Sequence, residues 1–186
     1  MPQKHLMIAI DWFGPYSLDD ARRAAANDGY GPGLYMCTGR REGEEVSAIQ
    51  YVGIGKALQA RLIPGHHKLQ LVVAERRLWL GQISTAEPSG KKIKVTQAGL
   101  DYAEWLHARF LRLPLNDKKT KSLPPRSVTV LNRWFRADDW TGRRNRPHPD
   151  WPDLIDFPAY EMPARAVWFG GRQRRFLASD GYADPA

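Results

Sequence analysis

Apolar positions along this chain fall mostly in short runs and two-residue alternations, with a helical period in three places. Residues 6–12 (LMIAIDW) predict a strand, followed by a turn at Gly14-Pro15. Ser17 with Asp20 three positions on is a helix start, because the hydroxyl accepts from orphan amides while the acid answers back, and a helix over 18–26 follows. Beyond a glycine-rich loop over 27–33, segments 33–38 (GLYMCT) and 48–53 (AIQYVG) read as strands joined by a polar turn over 40–45, hence a hairpin. A short helix over 56–63 ends at Pro64-Gly65. In 77–84 (RLWLGQIS), Leu78 and Leu80 point one way and Trp79 and Ile83 the other, which predicts a strand covered on both faces in the middle of a layer. The longest helix is expected over 96–113, with Leu100, Ala103, Leu106 and Phe110 on one apolar arc. Prolines punctuate the remainder, where the clearest elements are a strand over 127–135 and a hairpin of 164–169 and 172–177 turned at Gly170-Gly171. Residues 180–186 read as a loose tail.

Composition narrows the class. At 186 residues the chain suits a single domain, and no internal repeat divides it. A net charge of +8, clustered at 118–121, 143–146 and 172–175, favours a polyanionic partner. One cysteine, Cys37, excludes an intrachain disulfide and a cysteine-built zinc cluster. No apolar run approaches the roughly 20 residues that cross a bilayer, and the N-terminal apolar stretch is too short for a signal peptide. A soluble, cytoplasmic protein without a membrane partner is expected.

Two side chains on the long helix carry possible chemistry. Glu104 lies at the edge of the apolar arc, where a carboxylate is costly to bury without a cationic partner or a metal. His107 lies inside the arc; Glu104-x-x-His107 is half of a di-metal bundle site, but the second half is absent, so His107 reads as a hydrogen-bonded core residue.

YVGIGKALQARLIPGHHKL, residues 51–69, adds an arginine and two histidines to a glycine-broken strand. Taken in order, Gly33-Leu34-Tyr35, Tyr51-Val52-Gly53, Arg61, the pair His66-His67, Glu104 and then Leu115-Asn116 resemble the motif series of the GIY-YIG nuclease family, over about 33–116. RLWLGQIS resembles the third strand found in the restriction-endonuclease members, and the interval from Glu104 to Asn116 is similar to that of the restriction and repair branches. The histidines depart from the pattern. The family places its histidine four residues after the arginine, where this chain has Gly65.

The resemblance implies an α+β fold with a small central antiparallel β-sheet flanked by helices: a catalytic core over about 30–118, an N-terminal strand-helix extension (1–29) and a basic C-terminal extension (119–186) carrying the β-hairpin. It implies a metal-dependent endonuclease hydrolysing phosphodiester bonds in DNA, restriction-like. RNA suits the same residues, and the alternative is a nucleic-acid-binding or regulatory module with little activity. Catalytic roles fall to Tyr35, Tyr51, Arg61, His66, Glu104 and Asn116, with Glu104 the only protein ligand to one Mg²⁺, or Mn²⁺ in its place. Arg61 would clamp the scissile phosphate through its planar fork, and the general base is either Tyr35 or His66. Lys56, His67, Lys118, Lys119, Arg172, Arg174 and Arg175 are the expected substrate contacts. A homodimer would supply two sites for duplex cleavage.

Overall fold

The computed structural model describes residues 4–84, 95–159 and 162–176. Its strands form one curled, mixed, eight-stranded sheet. In chain order the elements are β1 (Leu6–Tyr16), α1 (Leu18–Asn27), β2 (Gly33–Arg41), β3 (Ala48–Gly55), a single turn α2 (Leu58–Arg61), β4 (Val72–Ile83), α3 (Gln97–Phe110), β5 (Val128–Arg136), β6 (Leu154–Phe157), β7 (Ala164–Trp168) and β8 (Arg172–Phe176). They line up as β3-β2-β4-β1-β5-β6-β7-β8.

The expected α+β fold, a small central sheet flanked by helices, is therefore corrected to a mostly β architecture. The reason lies in β4. Its Leu78 and Leu80 are buried on one face and Trp79 on the other, and both of its backbone edges are paired: β2 on one side (Tyr35↔Leu80) and β1 on the other (Phe13↔Leu80), each antiparallel. β1 in turn pairs in parallel with β5 from Leu6↔Val128 to Gly14↔Arg136. The two flanking segments thus extend the central sheet.

Several local expectations need adjustment. β1 runs through Gly14-Pro15, a cis peptide, to Tyr16, where a turn was expected. α2 is one turn long. β4 begins five residues before the predicted start, and β6, too short to carry a periodic signal, went unread. The α1 start is as expected, with Ser17 Oγ accepting from Asp20 N at 3.1 Å and donating to Asp20 Oδ2 at 2.7 Å. The hairpin of β7 and β8 turns at Gly170-Gly171; Leu177 and the tail over 180–186 lie outside the described residues. Among the described residues no helix is long and apolar enough to cross a membrane.

The sheet separates two cores. On one face α3 packs Leu100, Ala103 and Leu106 against Ile10, Trp12, Met36 and Val52, with Trp151 among them. There His107 is fully buried, donating Nδ1–H to the Ala103 carbonyl (2.7 Å) and resting Nε2 3.1 Å from Asn132 Oδ1. Asn132 Oδ1 accepts from Trp12 Nε1 at 2.8 Å, and His107 is a core residue. On the opposite face α1 and α2 bury Ala21, Ala24, Leu58 and Leu62 over Tyr35, Cys37, Leu78 and Leu80. Burial pushes the Cys37 thiol up to about 12, so it stays protonated and unreactive.

Candidate active site

The second face, at the β3 edge of the sheet, gathers most of the residues singled out in the sequence. β-strand alternation sends Tyr35 and Tyr51 to the same side, from adjacent strands, with ring centroids 5.9 Å apart. Tyr35 is directly opposite Gly53, and its fully buried ring occupies the space a side chain there would take: a Cβ on Gly53 would lie 2.4 Å from Tyr35 Cζ and Oη. Gly55 does the same for Arg61, whose Cγ would be 2.8 Å from an added Cβ. The glycines of YVGIG are thus recesses for a phenol and an arginine stem.

After α2 the chain turns at Pro64-Gly65, and His66 N donates to the Ile63 carbonyl at 3.0 Å. That turn swings the 6 % exposed His66 back under the sheet, where its Nε2 is 2.8 Å from Tyr35 Oη. Its Nδ1 accepts from the backbone amides of Lys68 (3.2 Å) and Leu69 (3.3 Å). An Nδ1 that accepts leaves the proton on Nε2, so neutral His66 donates to Tyr35 Oη. Burial, reinforced by the charges of His67, Arg61 and Lys68, holds the His66 pKa below its ordinary value and keeps this tautomer neutral. His67 is exposed and stacks on His66, centroids 5.2 Å apart and planes 2° off parallel.

The electrostatics converge on the phenols. Burial raises the Tyr35 pKa and the neighbouring Tyr51 adds to this, while the Arg61 guanidinium pulls it down. Tyr51 is also raised, first by burial and then by the Glu104 carboxylate, against the pull of Tyr35, Arg61 and Lys68. Arg61, at the exposed end of α2, is therefore felt by Tyr35, Tyr51 and His66 together.

Glu104 comes from α3, on the far face, and Tyr51 of β3 feels its carboxylate electrostatically. Its side chain is 16 % exposed and accepts from Lys119 Nζ at 2.6 Å; Asp101, one turn earlier, accepts from the same ammonium at 2.9 Å. Burial opposes the charge on Lys119, but the bonds to Glu104 and Asp101 outweigh it and raise its pKa. Lys119 is thus an ion partner of the expected metal ligand, not an outward-facing substrate contact. Two carboxylates converging on one ammonium are oxygen donors of the kind a hard divalent ion takes, but Lys119 holds that place and, among the described residues, no third histidine, cysteine or carboxylate joins them. Asp101 was missed in the sequence; its only signal is the three-residue interval to Glu104 on one helix face.

Asn116 has a structural task. Its Oδ1 accepts from Val52 N (3.0 Å), its Nδ2 donates to the Val52 carbonyl (2.8 Å), and Leu115 N donates to the Gln50 carbonyl (3.1 Å). The side chain imitates a strand residue and closes the outer edge of β3, tying the segment after α3 beside Tyr51. Asp117 continues the tie through a 2.5 Å ion pair with Lys68. Lys56 and Lys118 are exposed next to these elements. Arg172, Arg174 and Arg175 are not brought to the cluster: they lie on β8, the opposite edge strand, where Arg172 covers the Trp168 ring at 4.0 Å and Arg174 the Phe176 ring at 5.0 Å.

No family model, no curated protein and no solved structure matches the chain.

Proposed function

We propose that the chain is a metal-dependent nuclease of GIY-YIG type that hydrolyses phosphodiester bonds, with DNA as its substrate. The observation that carries the reading is the Tyr35–His66 hydrogen bond beside Arg61, held in place by the Gly53 and Gly55 recesses. Tyr35 and Tyr51 also pack the core of this face, and the exposed Arg61 brings a guanidinium to the phenol and the neutral imidazole. Together they suit a nucleophilic water and a phosphate.

In this reading the exposed Arg61 fork binds the scissile phosphate and spreads the charge that grows on its oxygens. Water attacks phosphorus, the new P–O bond forms as the bond to the 3′ oxygen breaks and that oxygen takes a proton from solvent, and the water's proton passes to Tyr35 as its phenolate, the phenol having first released its own proton to solvent. His66 cannot be the base in the tautomer described, since Nε2 carries its proton and Nδ1 is filled by two amides. Its role is to orient Tyr35 and to donate to the phenolate. Glu104, with Asp101 beside it, would hold the divalent ion, which supplies Lewis-acid charge when bound.

A second reading is favoured by one observation: the Lys119 ammonium already neutralises Glu104. In that reading the chain binds nucleic acid without cutting it. Supercoiled plasmid with Mg²⁺ or Mn²⁺ separates the two. The nuclease reading expects nicking by the wild type that EDTA stops and that Glu104→Gln lowers by about 100-fold or more, with DNA affinity kept within about twofold. Intact plasmid alongside salt-sensitive DNA binding by the wild type selects the binding module.

A further inference from the structure

On the same sheet face, a cavity of about 320 Å³ opens where α1 ends, lined by Phe13, Tyr30, Phe135 and Trp140 with Asp11 and Asp28 among them. We propose that this cavity takes a single unstacked nucleobase of the bound strand, with bases that carry an amino group preferred, and guanine above the others. The inference rests on the nucleic-acid reading above and adds a base-recognition site to it.

The lining suits a planar ring. Phe13 and Phe135 stack on each other at 5.2 Å and 25°, and Tyr30 stands edge-on to Phe13 at 6.0 Å and 81°, so the lining is aromatic. The volume lies at the small end of ligand pockets, which run from about 300 Å³, so it fits one ring system with little beyond it. Aromatic faces of this kind bind bases by stacking.

Trp140 points to a ligand independently. Its indole is 57 % exposed at the rim, and its backbone is left-handed (φ 57°), an unfavourable conformation for a bulky residue. The loop is nevertheless tightly fixed. Arg136 N donates to the Thr141 carbonyl (2.9 Å), Trp140 N to the Arg136 carbonyl (3.1 Å), and Asp139 Oδ1 accepts from both Thr141 N (3.0 Å) and Thr141 Oγ1 (2.7 Å). An Arg136–Asp138 ion pair at 2.6 Å braces the turn. A strained, fully hydrogen-bonded turn that holds a tryptophan in water is an arrangement that a stacked ligand would use.

Polarity sets the preference. Asp11 is engaged by Arg133 at 2.7 Å, whereas Asp28 forms no ion pair among the described residues. A carboxylate accepts from amino groups of bases, and guanine offers one carboxylate two adjacent donors, N1–H and the 2-amino group. A groove of about 670 Å³ is lined by Arg136, Asp138, Arg143 and Arg144; Arg136 is paired with Asp138, which leaves Arg143 and Arg144 as the charge for a phosphate backbone. The cavity also stands in register with the candidate active site. One row across the sheet runs Gly53, Tyr35, Leu80, Phe13, Phe135. Three strand spacings separate Tyr35 from Phe135, about 14 Å, the length of about four stacked base steps.

The test is fluorescence anisotropy of labelled single-stranded oligo-dT carrying one central guanine, the same strand with an abasic site there, and plain oligo-dT. It is run with the full chain in EDTA, so that cleavage plays no part. The wild type is expected to bind the guanine strand about 10-fold more tightly than the abasic one. Trp140→Ala, at an exposed position and checked by its melting curve, should lose that difference while keeping salt-dependent binding. Asp28→Asn should lose the preference for guanine over thymine and keep the preference over the abasic site. Equal binding of all three strands by the wild type, or unchanged discrimination in Trp140→Ala, overturns the base site and leaves the nuclease reading standing. If the wild type binds no strand at all, the base site falls, and plasmid nicking with Mg²⁺ or Mn²⁺ decides the nuclease reading separately.

Discussion

Gly53→Ala is the sharpest perturbation of the site, because a single methyl meets the one side chain on which the chemistry turns. The added Cβ would stand 2.4 Å from Tyr35 Cζ and Oη and 2.7 Å from Cε1, against an ordinary carbon contact of about 3.5–4.0 Å. Tyr35 must therefore yield by about 1 Å. It cannot do so freely, since it is fully buried, pinned at Oη by His66, and flanked by Tyr51. Overpacking of this kind costs about 1–3 kcal/mol, and a displacement of about 1 Å at a catalytic group costs about 100-fold in rate. Gly31→Ala is the control, as an added Cβ there meets nothing within 4 Å. Urea denaturation and plasmid nicking, measured side by side on both variants, check the expectation. If Gly53→Ala matches the wild type in stability and rate, the recess argument is wrong and Tyr35 is not held as described.

Three further outcomes follow from the same geometry. Tyr35 has a raised pKa and must lose a proton to serve as base, so kcat/KM should climb about tenfold per pH unit through the neutral range, and Tyr35→Phe should flatten the profile and lower the rate by about 100-fold. Asn116→Ala removes both bonds to the Val52 backbone and should cost about 1–3 kcal/mol in urea unfolding, with faster hydrogen exchange at the Val52 amide. His107 is buried and its pKa is lowered by burial to about 4, so the unfolded chain binds the extra proton first as pH falls. Its contribution, about 3 kcal/mol, is complete above about 6.5 and lost between there and about 4; His107→Gln should remove that dependence from unfolding curves measured across the window.

What the linear chain determined were features whose cause is local. The segments 33–38 and 48–53 around a polar turn were legible as a hairpin, and β2 pairs with β3 antiparallel. Ser17 and Pro64-Gly65 marked the ends of helices, since capping and chain reversal depend on neighbours in sequence. The two-faced apolar pattern of 77–84 identified a strand inside a layer, and β4 lies between β2 and β1. Only the tertiary structure decided what lies beside what. The parallel pairing of β1 with β5 joins Leu6 to Val128, and no local pattern records the partner of a strand edge whose amides and carbonyls are alike along its length. For that reason a small helix-flanked sheet was expected where one eight-stranded sheet exists. The meeting of Asp101 and Glu104 on Lys119, the bond from His66 to Tyr35, and the aromatic cavity between β1, β5 and the end of α1 are of the same kind. Each depends on a chain reversal whose direction is set by packing over the whole sheet, and composition and spacing do not encode it.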